Sequence, residues 1–237
     1  FAIPPSSVRN IGDALLDANI SWRYYGEQWN RYLQDPDFLN PANDYCDICN
    51  PFQYSTSIMG NAAVRTAHIK DTTDLYTDIA NGYLPAVSIV KPSGLVDGHP
   101  ASSKLDLFEG FTKKIVDLIK SQPDLWKDTA IIVTFDEGGG YYDSGYIQPV
   151  DFFGDGTRIP MIVVSPYAQA GHISHDYGDH VSVLKFIERN WGLRPLTRRS
   201  RDNLPNPITL PFNAYAPVNS PAIGDLYDLF NFGHGGR

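Results

Sequence analysis

"AIIVTFDEGGGYYDSG", residues 130–145, runs apolar from Ala130 to Phe135 and then stops at two adjacent carboxylates, Asp136 and Glu137. Three glycines follow, Gly138, Gly139 and Gly140. A short unbroken apolar run reads as a strand buried on both faces, the kind found in parallel sheets. Working outward, "LPAVSIVKP" at 84–92 and "IPMIVVSP" at 159–166 read as two more buried strands, and Ile20, Trp22 and Tyr24 alternate as a half-buried one. Between them lie helical patterns. "SKLDLFEGFTKKIVDLIKS", 103–121, puts Leu105, Phe108, Phe111, Ile115, Leu118 and Ile119 on one face, and "DHVSVLKFIERNWG", 179–192, turns Val181, Leu184, Ile187 and Trp191 inward. Shorter helices are expected after Ser7 and over 71–82, whereas 27–65 lacks a period and reads as an extended loop region with short helices. Strands alternating with helices predict one α/β unit over residues 1–237, a mainly parallel sheet with helices on both faces.

Composition limits the partners. With 237 residues, 42% of them hydrophobic, the chain can build a sizeable core. A net charge of -8 and one short basic patch, "RPLTRRSR" at 194–201, argue against nucleic acid, and that patch reads as a solvated loop. No stretch approaches the roughly 18 apolar residues of a membrane span. No leader-type segment opens at Phe1, which fits a mature or cytosolic chain. The only two cysteines, Cys46 and Cys49, lack the further ligands of a zinc knuckle; a short-loop disulfide in an exported protein is preferred over free thiols.

Ligands of open α/β sheets collect at the carboxyl ends of strands, where Asp136 and Glu137 stand. Adjacent carboxylates disfavour each other's ionisation unless a positive charge joins them, and a divalent cation does so best. Consecutive strand residues point to opposite faces, so both acids can meet one ion only where the backbone bends. The glycines permit that bend. The competing reading is an acidic, glycine-rich surface turn. Histidines weigh on the choice: His99 follows the strand at 84–92, His68 sits in "RTAHIKD", and His172, His175 and His180 precede the helix at 179–192. Strand-end acids with nearby histidines suit a metal-dependent hydrolase. Nucleophile-elbow, P-loop and dinucleotide signatures are missing from the sequence.

Taken in order, "HIKD", "LPAVSIVKPSGLVDGHP", "WKDTAIIVTFDEGGGYYD", "GTRIPMIVVSPYAQAGHISHDYGDHVSVLKFIERNWGL" and "GDLYDLFNF" resemble the bacterial phosphoesterase family. That family holds phosphatidylcholine-type phospholipases C and secreted acid phosphatases, within the alkaline phosphatase-like superfamily. The resemblance implies the C-terminal portion of a three-layer α/β sandwich and metal-dependent hydrolysis of phosphate esters. It implies a divalent metal of unstated identity on Asp136 and Glu137, and a phosphate-site or leaving-group role for His99 and His68. For His175 and His180 it implies support of the site. Substrates would be phosphate monoesters or phospholipid headgroups, and the location secreted or periplasmic. Tyr141, Tyr142 and Trp22 could form an aromatic cage, although aromatic residues more often fill cores. The sequence departs from the family at Gly98, where a Glu is usual, and at Ser144, where the family continues Asp-His. The family's N-terminal metal pair and nucleophile segment have no counterpart here, so the expectation is that this segment, or a second chain, completes the site. The alternative is a non-catalytic remnant or binding module that keeps a partial metal and phosphate site.

Overall fold

The computed structural model describes residues 5–143 and 145–233; Ser144, one of the two motif departures, lies outside them. The fold is mixed α/β, consistent with three layers, with a three-stranded parallel sheet and flanking helices. Two compact units divide the chain, Phe1–Lys127 and Asp128–Arg237.

The first unit holds β1 (Trp22–Gly26), β2 (Ile69–Asp71) and β3 (Val87–Lys91), ordered β2-β1-β3, all parallel. Helices α1 (Ile11–Asp17), α2 (Trp29–Tyr32), α3 (Ala62–His68), α4 (Thr72–Ala80), α5 (Leu105–Lys120) and α6 (Pro123–Trp126) accompany them. Central β1 is buried at Trp22, Tyr24 and Tyr25, deeper than the half-buried strand its alternation predicts. Pairing on both edges explains this: Tyr24 faces Ile69 on one side and Ile89 on the other. Tyr25 still satisfies its hydroxyl, which donates to Asp78 at 2.6 Å beside the Arg23–Asp78 ion pair. Asp71, at the end of β2, accepts the Thr73 amide at 3.0 Å and so caps α4. On α5 the expected face is right, but only Ile115 and Ile119 are fully buried, and Leu105 is exposed.

Residues 27–65 do more than loop. They send Trp29, Tyr45, Phe52 and Ile58 into the core. Their conformation is set turn by turn by side chains: Asp35 accepts the Leu39 and Asn40 amides, and Asn50 accepts that of Phe52. Such local bonding has no period, so no pattern announces it. Cys46 and Cys49 form the expected disulfide within this segment.

In the second unit β4 (Ile131–Thr134) pairs with β5 (Met161–Val164), and the pairing is antiparallel. Both were expected as buried strands of a parallel sheet. The register sets Ile132 against Val163 and Val133 against Ile162, and only the first pair joins the cluster around Phe186, Leu226 and Phe230. Neighbours alternate faces, so Ile162 turns outward and is 60% exposed.

Helix α7 (His180–Trp191) begins and ends where expected. Asp179 caps it by accepting the Val181 amide at 2.7 Å, and Gly192 closes it at φ 64°, a left-handed conformation glycine takes without strain. Its buried face differs from expectation. Ser182, Lys185, Phe186 and Glu188 are buried, while Val181, Leu184 and Ile187 are half-buried and Trp191 is exposed. The chain after Gly192 returns across that face with polar groups ready for Lys185, whose ammonium donates to the Leu204 carbonyl and Asn206 Oδ1, both at 2.8 Å. Glu188 lies beside Asp202, itself buried. Burial, then the bond and charge of Asp202, push the Glu188 carboxyl up to about 8. Burial works against charge on Asp202 too, but bonds from Ser200, Glu188 and the Leu196 amide hold it below the usual carboxylate range.

Candidate active-site cleft

Asp136 and Glu137 leave the end of β4 exposed to solvent. Glu137 Oε2 accepts the Gly139 amide at 2.7 Å, turning the chain back on itself. Gly139 and Gly140 have φ of 63° and 76°, and a Cβ at Gly138 would stand 2.2 Å from Thr157 Oγ1. The glycines therefore serve both the bend and a close approach of the 157 segment.

Beyond the bend opens a cleft of about 850 Å3, whose walls include Asp136, Glu137, His175 and His180. Four of the six residues to which the family resemblance assigns a site role thus share one cavity. His180 opens α7, and its Nε2–H donates to the Phe135 carbonyl at 2.8 Å, immediately before Asp136. A carbonyl can only accept, so this bond places a proton on Nε2. His175 sets its ring edge-on to Tyr215, centroids 5.1 Å apart. His172 instead lines a neighbouring cavity of about 360 Å3 and pairs with Asp228 at 3.6 Å.

His68 and His99 belong to the first unit. His68 ends α3; its Nδ1 meets the Trp22 carbonyl at 2.8 Å and its ring stacks on Trp22 at 4.3 Å. His99 is exposed in the turn after β3, where its amide donates to Asp97 and its Nδ1 accepts the Ala101 amide. Gly98, the departure before it, has φ 80°, which a Glu would adopt only with strain. Trp22 is core, stacked on His68 and packed against Phe52, whereas Tyr141 and Tyr142 are exposed.

Sequence reasoning passed over several residues that line the cleft or bond to its lining. Asp143 is held at about 2, first by the Arg158 amide and then by its guanidinium, which bonds it at 2.6 Å. Burial pushes the Tyr177 hydroxyl up to about 12, and that hydroxyl donates to Asp155 at 2.9 Å. Burial likewise raises Asp179, against the opposing charge of Arg201. Arg201, in the stretch that sequence assigns to a solvated basic loop, is instead partly covered and paired with Asp179.

Comparison with known proteins settles the lineage. The phosphoesterase family profile matches residues 1–194. The chain belongs to the phosphoesterase family. It is 30% identical to phospholipase C B of Mycobacterium tuberculosis over 90% of this chain and 44% of that protein. It is 27% identical to a non-hemolytic phospholipase C of Pseudomonas aeruginosa, over 88% of this chain and 33% of that one. With a probable acid phosphatase of Kluyveromyces lactis it shares 28% identity, over 96% of this chain and 54% of the relative. The chain thus spans about half or less of the length of these phosphoesterase relatives.

A divalent cation suits hard oxygen ligands, and Asp136 and Glu137 supply two carboxylates. Among the described residues, however, no group of three or more His, Cys, Asp or Glu side chains is placed to hold a metal. The described residues of this chain do not by themselves complete a cation site. No described helix is long and apolar enough to cross a membrane.

Proposed function

We propose that this protein hydrolyses phosphate esters of the acid phosphatase or phospholipase C type, with the phosphoryl group seated in the 136–180 cleft. The observation that carries this is the convergence of Asp136, Glu137, His175 and His180 on one cavity in a phosphoesterase chain. In this proposal Asp136 and Glu137 form one side of a divalent-metal site, whose charge would offset that of the phosphoryl oxygens. His180 is oriented by the Phe135 carbonyl, so its Nδ1 can take or return a proton only along one direction. His175, braced by Tyr215, hydrogen-bonds a phosphoryl oxygen. His99 and His68 are proposed, on the family resemblance, to bind phosphate or protonate the leaving alcohol. His68 would use Nε2, since Nδ1 is engaged by Trp22. The nucleophile is not assigned to any residue of this chain. The disulfide supports a secreted or periplasmic location.

A second reading, a remnant that binds cation or phosphate without turnover, is favoured by the lack of a three-ligand cluster among the described residues. Turnover separates the two. The full gene product, supplied with divalent cations, is expected to hydrolyse para-nitrophenyl phosphate faster than para-nitrophenyl phosphorylcholine if the monoester branch applies, and the reverse for the phospholipase branch. A folded, metal-supplied protein that hydrolyses neither substrate supports the remnant.

A further inference from the structure

We infer that Arg201 is a positioning residue for the cleft, clamping its two walls and offsetting carboxylates that would otherwise repel a phosphate ester; this rests on the phosphate-ester reading above. Arg201 lies beyond the segment matched by the family profile, in the basic patch that sequence alone assigns to solvent. Its side chain is only 31% exposed. One guanidinium nitrogen, Nη2, stands 2.6 Å from Asp179 Oδ2 and 3.3 Å from Asp155 Oδ1, while Nε faces Asp151 at 3.8 Å.

The loop presenting Arg201 is closed on itself. Asp202 is buried and accepts the Leu196 amide at 2.6 Å, and Thr197 Oγ1 accepts the Ser200 amide at 2.9 Å. The arginine therefore comes from a fixed turn, with less side-chain freedom left to lose than a solvated one. Its partners lead to the site along two routes. Asp179 caps α7, and the first residue of that helix, His180, holds the Phe135 carbonyl ahead of Asp136. Asp155 accepts from the Tyr177 hydroxyl, whose oxygen accepts the Gln148 amide at 2.9 Å. One side chain thus ties the α7 wall to the 148–155 wall.

Charge makes the clamp more than structural. Five carboxylates line the cleft, those of Asp136, Glu137, Asp155, Asp176 and Asp179. The guanidinium that lines it, Arg158, is already bonded to Asp143. A phosphate ester is an anion at neutral pH, and like charges facing one another across a low-dielectric cleft repel. Arg201 offsets two of the five, Asp155 and Asp179, from behind the wall.

The test compares wild type, Arg201→Gln, Arg201→Lys and the pair Arg201→Gln with Asp155→Asn, all as full gene product, on the better para-nitrophenyl substrate. Arg201→Gln should raise KM about tenfold at low salt with a smaller fall in kcat, and the gap should narrow at about 0.5 M salt as screening grows. Asp155→Asn, which removes one of the charges that Arg201→Gln leaves without a counter-charge, should recover part of the KM, and Arg201→Lys, which keeps the charge, should stay within about threefold of wild type. A purely structural role would lower the folded fraction without a salt-dependent rise in KM. If Arg201→Gln does not fold, Asp155→Asn alone decides: with Arg201 kept and one cleft carboxylate removed, KM should fall below wild type at low salt, and an unchanged KM overturns the charge role. An active wild type with KM unchanged in these variants, or no recovery by Asp155→Asn, overturns the role of Arg201 alone. A wild type inactive on both substrates removes the phosphate-ester reading and this inference with it.

Discussion

Asp136→Asn should lower phosphate-ester turnover by about two to three orders of magnitude while shifting stability by no more than about 0.5 kcal/mol. The split follows from the position. Asp136 is exposed at the end of β4, so the fold asks little of its charge, and Asn keeps its shape. The proposed function asks everything of that charge, because Asp136 and Glu137 are the pair the glycine bend presents to the cleft. Elemental analysis should find divalent metal in the wild type and less in the variant. Equal metal content with undiminished turnover would return "DEGGG" to an acidic surface turn.

Glu188→Gln should change stability little at about pH 4 and stabilise the protein increasingly as pH rises from there to about 8, by a few kcal/mol at pH 9. Glu188 is buried against Asp202 and bonded to it, while Glu188 Oε1 and Asp202 Oδ1 have no hydrogen-bond partner among the described residues. Two carboxylates in that position are best accommodated with one proton between them. The folded value of Glu188, about 8, is above its usual one, so folding takes up a proton between the two. Its stabilising contribution is therefore full below the usual carboxylate value and is lost as pH rises through 8. Asp202 runs the other way: held below its usual range, it contributes above that range and loses the contribution on acidification. Gln stays neutral and can donate to Asp202 at every pH. Melting temperatures across pH 4 to 9 should converge for the two proteins at low pH and diverge at high pH. Parallel curves would show that Glu188 titrates normally.

These two sites differ in how readily sequence displays them. The carboxylates at 136 and 137 were legible because an apolar strand, charges and glycines follow in one local string. The same holds for β3, α5 and the limits of α7, where periodicity, proline and capping residues act within a few positions. The buried face of α7 was not legible, since Lys185 and Glu188 become interior only through chain that returns fourteen or more residues later, at Asp202, Leu204 and Ile223. Arg201 escaped for the same reason, its three acidic partners lying 22, 46 and 50 positions away in sequence. The antiparallel pairing of β4 with β5 was hidden because an apolar run shows burial without direction. Tyr45, Phe52 and Ile58 show the limit of periodicity itself, as core residues carried on turns.

The central claim is that phosphate seats in the cleft of Asp136, Glu137, His175 and His180. Histidine ring resonances of the full gene product, followed by nitrogen-15 NMR during titration with inorganic phosphate and with divalent cation present throughout, test it most directly. His175 and His180 should shift together along one saturable curve, and His172, bound to Asp228 in the neighbouring cavity, should not follow it. A titration in which His175 and His180 stay fixed up to saturating phosphate, or in which only His172 responds, would contradict the account.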